Sequence, residues 1–384
     1  MDVSGLRRAL VACATAGLAS LGVSAIVSTA ASAAATVTPV ASGLDNPRGL
    51  SFGPNGRLYV AEAGNGGEEA CLPPEEPEEE AFCIGFTGGI STIDVSSGNH
   101  RRVVSNLVSF AGTEGFAATG IDGVSVHGNG GIFGIITESH PGLERLGFSL
   151  SAQALAQAQA QVGRLIQANP SGHWKAVANV GDVDFRWTEE HFQELGVEQP
   201  PDANPYGVFA TGGERWVADA AANTIDEVRP NGSVRVADFI PSPPVSDSVP
   251  TCLDRGRDGA LYVGELTGFG NGPGKSVVWR IAPGQKPEEW ATGLTGVTGC
   301  GFGSDGQFYA TEFSTEGWEV GGPGTGAVVR VPPHSTSPTL IASGLSFPGG
   351  FAAGSNGAIY VSNWSIAPAN TGGGPTGEVV RITP

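Results

Sequence analysis

Lysine is the scarcest charged residue in this sequence, and its scarcity excludes one class of partner. The 384 residues contain 20 Lys and Arg against 38 Asp and Glu, for a net charge of −18 and a pI near 4.6. The only lysines are Lys175, Lys275 and Lys286. Nucleic-acid binding needs Lys and Arg clustered to meet a phosphate backbone. We therefore expect no nucleic-acid partner, and the negative charge favours solubility.

Motifs of metal and phosphate chemistry are also missing. No His-Glu-x-x-His occurs, and Gly-rich stretches such as 321–324 do not open a helix, so a zinc protease site and a phosphate loop are not expected. The histidines are scattered without metal-ligand spacing, at His100, His127, His140, His173, His191 and His334.

There is only one long apolar run, at 9–27. Arg7 and Arg8 precede it, and Ala31-Ser32-Ala33 follows it as a small-residue cleavage pattern, with 33–35 as an alternative. This arrangement predicts a secretory signal peptide over 1–33, or to 35, and a secreted domain over 36–384. The alternative is a retained membrane helix. We expect no stable membrane span after cleavage.

Of the five cysteines, Cys13 lies in the predicted leader. An even number remains, which predicts disulfide bonds outside the cell. Sequence alone allows three pairings among Cys71, Cys83, Cys252 and Cys300. We favour Cys71–Cys83, within one loop, and Cys252–Cys300, at nearly equivalent places in adjacent repeats. Two buried free thiols at 252 and 300 are the alternative.

Glycine is abundant, with 60 residues, while the apolar share of 40% excludes a disordered chain. Most of the repeated hairpin turns are Asn-Gly or Asp-Gly, pairs that favour two-residue hairpins. An aromatic or apolar strand follows each turn, and the pattern occurs six times. The strands centre on Leu58-Tyr59-Val60, Ile132-Phe133, Arg215-Trp216-Val217, Leu261-Tyr262-Val263, Phe308-Tyr309-Ala310 and Ile359-Tyr360-Val361.

Each unit contains four strands, and one small sheet cannot bury both of its faces. The pattern predicts an all-β fold: a six-bladed β-propeller with four-stranded antiparallel blades. The last unit lacks its fourth strand, which residues 36–40 supply beside 378–382, so that the N-terminal strand closes the ring. The alternatives are an open solenoid or two separate β domains.

Nearly all the long insertions fall on one face of this propeller, including 63–88, which precedes a third strand predicted to begin at Gly89. Connections between second and third strands, and between units, lie there, and we call it the loop face; the short turns lie on the opposite, plain face. Function is usually carried by such loops. Short helices are predicted over 149–161 and over 188–195, the second with a Thr188 cap. The Glu-Pro run at 75–80 is interpreted as a solvated loop, or as a cation-attracting lip.

A polar residue recurs three positions after the aromatic residue of five units. These five side chains predict a partial acidic ring at the mouth of the channel, where a divalent cation such as calcium would find oxygen ligands. They also suit acid–base chemistry if their pKa values differ, or simply the capping of backbone N–H groups in their own blades. They are Glu62, Asp219, Glu265, Glu312 and Asn363.

Polar residues on the connections between units are expected to face the same mouth. Arg48 and Asp254 are the best candidates for ligand contacts, although Asn-Pro steps at 46–47 and 204–205 also suit plain turns. The full set of ligand-binding candidates is Asp45, Arg48, Asp122, Asn204, Tyr206 and Asp254.

Several segments in order resemble the ScyD/ScyE family of secreted proteins, from about residue 37 to the end. Departures from the pattern occur at Gly270 and at 220–223, both on the loop face. The resemblance implies secretion and a propeller akin to NHL-repeat proteins. The segments are Gly43-Leu44-Asp45-Asn46-Pro47-Arg48-Gly49-Leu50, Leu58-Tyr59-Val60-Ala61-Glu62-Ala63-Gly64, Asn204-Pro205-Tyr206-Gly207, Val249-Pro250-Thr251 and Tyr262-Val263-Gly264-Glu265-Leu266-Thr267-Gly268-Phe269.

These features favour an extracellular binding or scaffold protein that uses its loop face for a small molecule, a protein or a polysaccharide. The alternative is an enzyme at the channel mouth, such as a metal-assisted lyase, a lactonase or an oxidase. That alternative rests on analogy with other propellers, and fold analogy alone does not establish a reaction.

Overall fold

The computed structural model is a ring of six sheets around a central tunnel. It describes residues 35–74, 81–128, 131–191, 201–240, 247–268, 270, 272–366 and 377–383. The predicted leader and the Glu-Pro run at 75–80 lie outside these residues. The prediction of an all-β propeller with six four-stranded antiparallel blades is confirmed.

The strands in chain order are β1 Thr36–Leu44, β2 Pro47–Phe52, β3 Leu58–Glu62, β4 Ala70–Leu72, β5 Phe82–Ile93, β6 His100–Ala111, β7 Ile121–Ser125, β8 Ile132–Ile136, β9 Arg164–Ala168, β10 Trp174–Asn179, β11 Pro205–Ala210, β12 Arg215–Asp219, β13 Thr224–Val228, β14 Val234–Phe239, β15 Pro250–Arg255, β16 Leu261–Glu265, β17 Ser276–Ile281, β18 Glu288–Leu294, β19 Val297–Phe302, β20 Phe308–Glu312, β21 Gly326–Val331, β22 Thr339–Leu345, β23 Phe351–Ala353, β24 Ile359–Asn363 and β25 Gly377–Thr383. The helices are α1 His140–Leu146, α2 Ala152–Gln159 and α3 Gly181–His191, with a 3-10 turn at Thr113–Gly115. No helix of the described residues is long and apolar enough to cross a membrane.

Blade 1 consists of β2, β3, β5 and β6, with β4 also paired to β5. Blades 2 to 5 take β7–β10, β11–β14, β15–β18 and β19–β22, and blade 6 takes β23, β24, β25 and β1. In blade 6, β1 runs antiparallel to β25, with Thr36 opposite Thr383 and Pro39 opposite Val380. The predicted closure of the ring by the N-terminal strand is therefore confirmed.

The first strand of each blade is innermost, and neighbouring innermost strands approach closely around the tunnel. Glycine makes this approach feasible: a Cβ at Gly123 would lie 2.6 Å from the Tyr206 carbonyl oxygen, and one at Gly350 would lie 2.5 Å from the Arg48 carbonyl oxygen. Contacts this short would force the backbones apart. The glycines counted in the sequence therefore serve the ring itself as well as its turns.

The core lies between blades, where aromatic side chains from adjacent sheets meet. Tyr262 packs edge-on against Trp290 at 4.9 Å and against Phe302 at 5.0 Å between ring centroids, with Phe308 beside them. Edge-to-face pairs contribute about 0.5–1.5 kcal/mol each beyond their buried area. Adjacent blades are thus held together by the aromatic strands that mark the repeat.

Both predicted disulfides are confirmed. Cys71 and Cys83 lie directly opposite each other on β4 and β5. Cys252 and Cys300 link the innermost strands of blades 4 and 5.

Blade 1 differs from prediction, because part of its expected loop at 63–88 is sheet. The third strand begins at Phe82 rather than at Gly89, and the fourth runs to Ala111. Phe82 and Phe110 extend the core on the loop face by stacking at 6.3 Å between centroids. This packing against residues distant in sequence lengthens the strands beyond what local turn signals indicate.

The helix predicted over 149–161 is confirmed as α2, with Ser151 as its N-cap. The second predicted helix begins earlier than expected, since α3 starts at Gly181. The Thr188 cap is therefore wrong: Thr188 lies inside α3 and its hydroxyl donates to the Asp184 carbonyl oxygen at 3.0 Å. Residues 192–195 lie outside the described residues. Helix α1 is an addition that the sequence reading missed.

Candidate functional site

The innermost strands of blades 1 to 5 share an irregularity at their loop-face ends. In blades 2 to 5, one residue of the innermost strand has no partner on the second strand, and in blade 1 two residues have none. The unpaired residue directly follows the residue that pairs with the end of the second strand. Such β-bulges re-aim a side chain and occur often beside functional sites. Together with the equivalent position before β23 they form what we call the bulge ring: Arg48, Asp122, Tyr206, Thr251, Thr298 and Gly349.

One half of the bulge ring carries polar side chains that reach the tunnel mouth, and the other half carries only small residues. Thr251 and Thr298 donate to backbone carbonyl oxygens of the next blade at 2.7 Å, and Gly349 has no side chain. Blades 1 to 3 instead contribute the guanidinium of Arg48, the carboxylate of Asp122 and the phenol of Tyr206. Chemistry at the mouth is therefore concentrated on one side of the tunnel.

Arg48 connects the polar half. Its Nη2 donates to the Ala118 carbonyl oxygen, and its Nε lies 3.6 Å from Asp122 Oδ1. The other Asp122 oxygen accepts from the Thr119 hydroxyl at 2.8 Å. Both Arg48 Nε and Asp122 Oδ1 are buried and have no hydrogen-bond partner. Buried polar atoms are usually paired, whereas this donor and acceptor face each other as an ion pair without a hydrogen bond.

Burial governs the electrostatics of this group. It raises the pKa of Asp122, which Arg48 partly offsets, and it raises the pKa of Tyr206 in the same way. The Tyr206 side chain is half-buried, and its hydroxyl lies close to Arg48. Asp122 is thus a carboxyl whose protonation is sensitive to whatever binds beside it.

The tunnel below the bulge ring is narrow. Its cavity holds about 80 Å³ and is lined by the innermost strands of all six blades, including Asp122 and Tyr206. Pockets for drug-sized ligands hold several hundred Å³. A ligand of that size would therefore sit above the ring, with only a small group entering the tunnel.

A short segment covers part of the mouth. Residues 112–120 join β6 to β7, and Ala117 N donates to the Ile366 carbonyl oxygen of blade 6 at 2.8 Å. Asn46 Nδ2 donates to the Gly115 carbonyl oxygen at 3.0 Å. Around this segment lies an apolar cluster of Phe116, Ala117, Leu266, Phe313, Trp318, Phe347, Trp364 and Ile366. The polar half of the ring thus has an apolar neighbour.

The five residues of the predicted acidic ring do end the second strands at the loop face, but each bonds within its own blade. Four accept a backbone N–H from the segment that leads into the innermost strand: Glu62 from Asp45 at 2.8 Å, Asp219 from Asn204 at 2.8 Å, Glu312 from Thr295 at 2.8 Å and Asn363 from Ser346 at 2.7 Å. Glu265 instead accepts from Val277 N and Trp279 Nε1 at 3.0 and 2.7 Å. These bonds satisfy N–H groups that burial would otherwise leave unpaired.

Metal binding by this set gains no support from the geometry. Across the part of the chain that the structure describes, no three His, Cys, Asp or Glu side chains are arranged to hold a metal ion. The backbone-capping alternative accounts for the positions of all five residues.

The structure brings only some of the predicted ligand-binding residues together. Arg48, Asp122 and Tyr206 meet in the bulge ring, whereas Asn204 donates its backbone N–H to Asp219 Oδ1 and its side-chain oxygen accepts the Thr137 hydroxyl. Asp254 requires a correction. It lies opposite Tyr262, near the plain-face end of β15, and accepts from Phe302 N at 2.8 Å. Its place near the C-terminal end of the strand puts it away from the mouth.

Asp45 lies beside the mouth in a second polar network. Arg102, which the sequence analysis did not select, contacts Asp45 Oδ2 at 3.1 Å and Glu62 Oε2 at 3.0 Å. Arg102 sits on the outer strand of blade 1, so its reach depends on tertiary packing. Its position on a polar strand gave no local signal.

One short sequence motif suggests a catalytic serine, and its place in the structure rules that role out. Gly49-Leu50-Ser51-Phe52-Gly53 has the letters of a hydrolase nucleophile elbow, which requires a strand–turn–helix context. Ser51 lies instead inside β2, is buried, and its Oγ accepts from Val126 N at 2.9 Å. It fastens blade 1 to blade 2 and is not presented as a nucleophile.

Comparison with known proteins supports the fold. A protein of unknown function from Bacteroides thetaiotaomicron VPI-5482 is similar at a TM-score of 0.54 and 9% identity, over 91% of this chain and 76% of that one. The gluconolactonase XC5397 from Xanthomonas campestris is similar at 0.52 and 8%, over 91% and 90%. A luciferin-regenerating enzyme is similar at 0.50 and 10%, over 91% and 95%.

At these identities the likeness establishes the six-bladed propeller and nothing about the reaction. No protein-family model matches the chain, and no curated protein matches it.

Proposed function

We propose that this propeller binds a small polar molecule at the bulge ring on its loop face. One observation carries the proposal: Arg48 Nε and Asp122 Oδ1 face each other at 3.6 Å, both buried and both without a hydrogen-bond partner. A hydroxyl group or an amide with an N–H offers both the acceptor that Arg48 Nε needs and the donor that Asp122 Oδ1 needs. Because the two charges compensate each other, the ligand need not be charged.

The apolar cluster beside segment 112–120 favours a ligand with one apolar side. Trp318 and Trp364 are half-buried members of this cluster. Aromatic rings stack on the faces of sugars and ring systems while polar groups fix their orientation. A saccharide, a sugar lactone or an aromatic hydroxy compound meets both requirements.

We further propose that the protein is secreted and ScyD/ScyE-like, with a leader over 1–33. Its two disulfides suit an oxidising compartment. N-terminal sequencing of protein from the culture medium tests this part: a start at 34 or 36 supports it, and retention in the cytoplasm contradicts it.

A thermal-shift screen of the secreted domain tests the binding proposal, with neutral sugars, sugar lactones and phenolic compounds as probes. A probe that raises the melting temperature should lose most of its effect in Asp122→Asn, because the amide has no negative charge and offers the ligand a weaker acceptor than the carboxylate does. Arg57→Met is the matched control, since Arg57 is exposed in a plain-face turn. Equal shifts in Asp122→Asn and in the wild type would place the ligand elsewhere.

A lactonase, lyase or oxidase acting at the same ring is the second candidate. The observation that favours it is Asp122, whose pKa is raised by burial and which lies beside Arg48 and Tyr206. A carboxyl with a raised pKa suits general acid–base catalysis near neutral pH. Turnover of a lactone probe, with and without added Ca²⁺ or Mn²⁺, distinguishes catalysis from binding. Asp122→Asn should abolish such turnover, because its amide neither takes up nor releases the proton that acid–base catalysis needs.

A further inference from the structure

Three aspartates are completely buried where helix α3 rests on blade 3. Asp184 comes from α3, Asp219 from the end of β12 and Asp226 from β13, and all three have no exposed surface. Asp184 lies within hydrogen-bonding reach of both of the others. Carboxyl groups this close and this dry cannot all be ionised without a compensating charge.

Few hydrogen-bond donors reach these three aspartates, which we call the triad. Asp219 Oδ1 accepts three backbone N–H groups, including Ala222 N at 2.8 Å, and Asp226 Oδ2 accepts the Thr224 hydroxyl at 3.1 Å. Both Asp184 oxygens, Asp219 Oδ2 and Asp226 Oδ1 have no partner. An ionised carboxylate only accepts hydrogen bonds, whereas a protonated one also donates. Protons on the triad would therefore satisfy the four oxygens that no other donor reaches.

No cation compensates the triad among the described residues. The surrounding elements add further ionisable groups: the acids are Glu138 after β8, Asp202 before β11 and Asp247 before β15, and the bases are His140 and Arg145 on α1. Arg145 pairs with Asp202 at 3.4 Å, and none of the three triad aspartates has an ion pair with a described Lys, Arg or His. Burial, with Asp202 close by, raises the pKa of Glu138 to about 8, so Glu138 adds negative charge to the same region only as the pH approaches 8.

We propose that Asp184, Asp219 and Asp226 share protons and so hold helix α3 against blade 3. The attachment of this helix to the loop face would then depend on pH. Outside the triad, α3 is held by Asp182, which pairs with His140 Nδ1 at 2.9 Å, by the Trp187 ring against Phe239 at 5.8 Å between centroids, and by the Thr188 hydroxyl. Ionisation of the triad would set like charges on α3 and on the blade beneath it. The helix would then open locally while the remaining blades stay folded.

The direction of the pH effect follows from burial. Burial raises the pKa of Asp219 to about 6 and raises the pKa values of Asp184 and Asp226 well above 3.8. The native state therefore keeps protons that the unfolded chain has released above about pH 4. Stability from these groups is complete below that pH and is lost as pH rises towards the folded pKa values.

Hydrogen exchange of the peptide covering 181–191 tests the proposal on the full secreted domain at pH 6 and pH 8, after correction for intrinsic rates. We expect the protection of α3 to fall at least tenfold between these pH values in the wild type. Asp184→Asn should show less than a threefold change, because its amide does not ionise. Glu190→Gln, on the exposed side of the same helix, should behave like the wild type.

Asp226→Asn is the second variant, since an amide oxygen keeps the Thr224 hydrogen bond if Asp184→Asn fails to fold. Infrared spectra at pH 7 should also show less protonated-carboxyl absorption in either variant. Protection of wild-type α3 that does not change with pH, or an unchanged pH dependence in both Asn variants, overturns the proposal. Stabilisation of the wild type by millimolar Ca²⁺, absent in Asp184→Asn, overturns it as well, because the triad would then hold a cation rather than protons.

Discussion

Replacing Arg48 by Met removes the cation of the bulge ring while keeping much of its apolar stem. Arg48 as a whole residue is 8% exposed and Asp122 is 1% exposed, so the remaining carboxylate stays buried. The variant loses the 3.6 Å approach of Nε to Asp122 and the bond to the Ala118 carbonyl oxygen. Breaking a buried pair by removing one partner costs about 3–5 kcal/mol, and we expect this loss in the free energy of unfolding at pH 8.

The loss should shrink in acid. Arg48 lowers the pKa of Asp122 against the larger raising effect of burial. Without Arg48 the folded-state pKa of Asp122 rises further, and the variant holds a proton where the wild type does not. Between the two folded pKa values the difference in stability therefore grows with pH, by up to about 1.4 kcal/mol per unit.

Guanidinium unfolding followed by tryptophan fluorescence at pH 5 and pH 8 measures both effects. Adding Asp122→Asn to Arg48→Met should recover most of the pH 8 loss, because no charge then remains buried alone. The exposed control Arg57→Met should change stability by less than about 0.5 kcal/mol. A loss that is equal at both pH values, or two substitutions that add without coupling, would refute this reasoning.

Three further predictions concern the ring as a whole. Removing the Cys252–Cys300 disulfide, by replacing the two cysteines with Ser and Ala, should lower the free energy of unfolding by about 4 kcal/mol, and removing Cys71–Cys83 should lower it by about 3 kcal/mol, because the disulfides close loops of 48 and 12 residues. Unfolding under non-reducing conditions measures both losses, and the reverse order would contradict the loop-entropy argument. Leu44→Ala should cost about 2–5 kcal/mol, because Leu44 is 1% exposed in the closing strand β1, and a loss below 1 kcal/mol would mean that the closure is loose. Burial raises the pKa of Glu265 to about 8, so Glu265→Gln should gain stability relative to the wild type as pH rises from 5 to 8; a constant difference in urea midpoint would show that Glu265 does not titrate in this range.

The blade pattern was accessible from sequence because its signals are local. Asn55-Gly56 and Asp305-Gly306 set hairpins within a few residues, and the strands that follow alternate with their neighbours. The same reasoning misplaced the start of α3. There, Thr188 looks like a cap, but two acids of the first turn, Asp182 and Asp184, precede it and favour an earlier start.

The candidate site was accessible only in part. Arg48, Asp122 and Tyr206 were selected because they lie at equivalent entrances to innermost strands. Asp254 occupies the other end of its strand, and sequence position alone did not distinguish the two ends. Asp226 did carry a signal, a carboxylate that alternates with Thr224 and Val228 on buried positions of β13, but a single charged residue in a strand does not identify its partners.

By itself the sequence determined the number of blades and the pairing of β1 with β25, because repeated local chemistry and chain order decide these features, and it favoured the correct disulfides among three possible pairings. Only the tertiary structure decided which polar groups meet. Arg48 approaches Asp122, and Asp184 approaches Asp226, across separate sheets and helices. Their distances depend on how blades pack around the tunnel and on where bulges turn the strands, and no neighbouring residue in the chain encodes those positions.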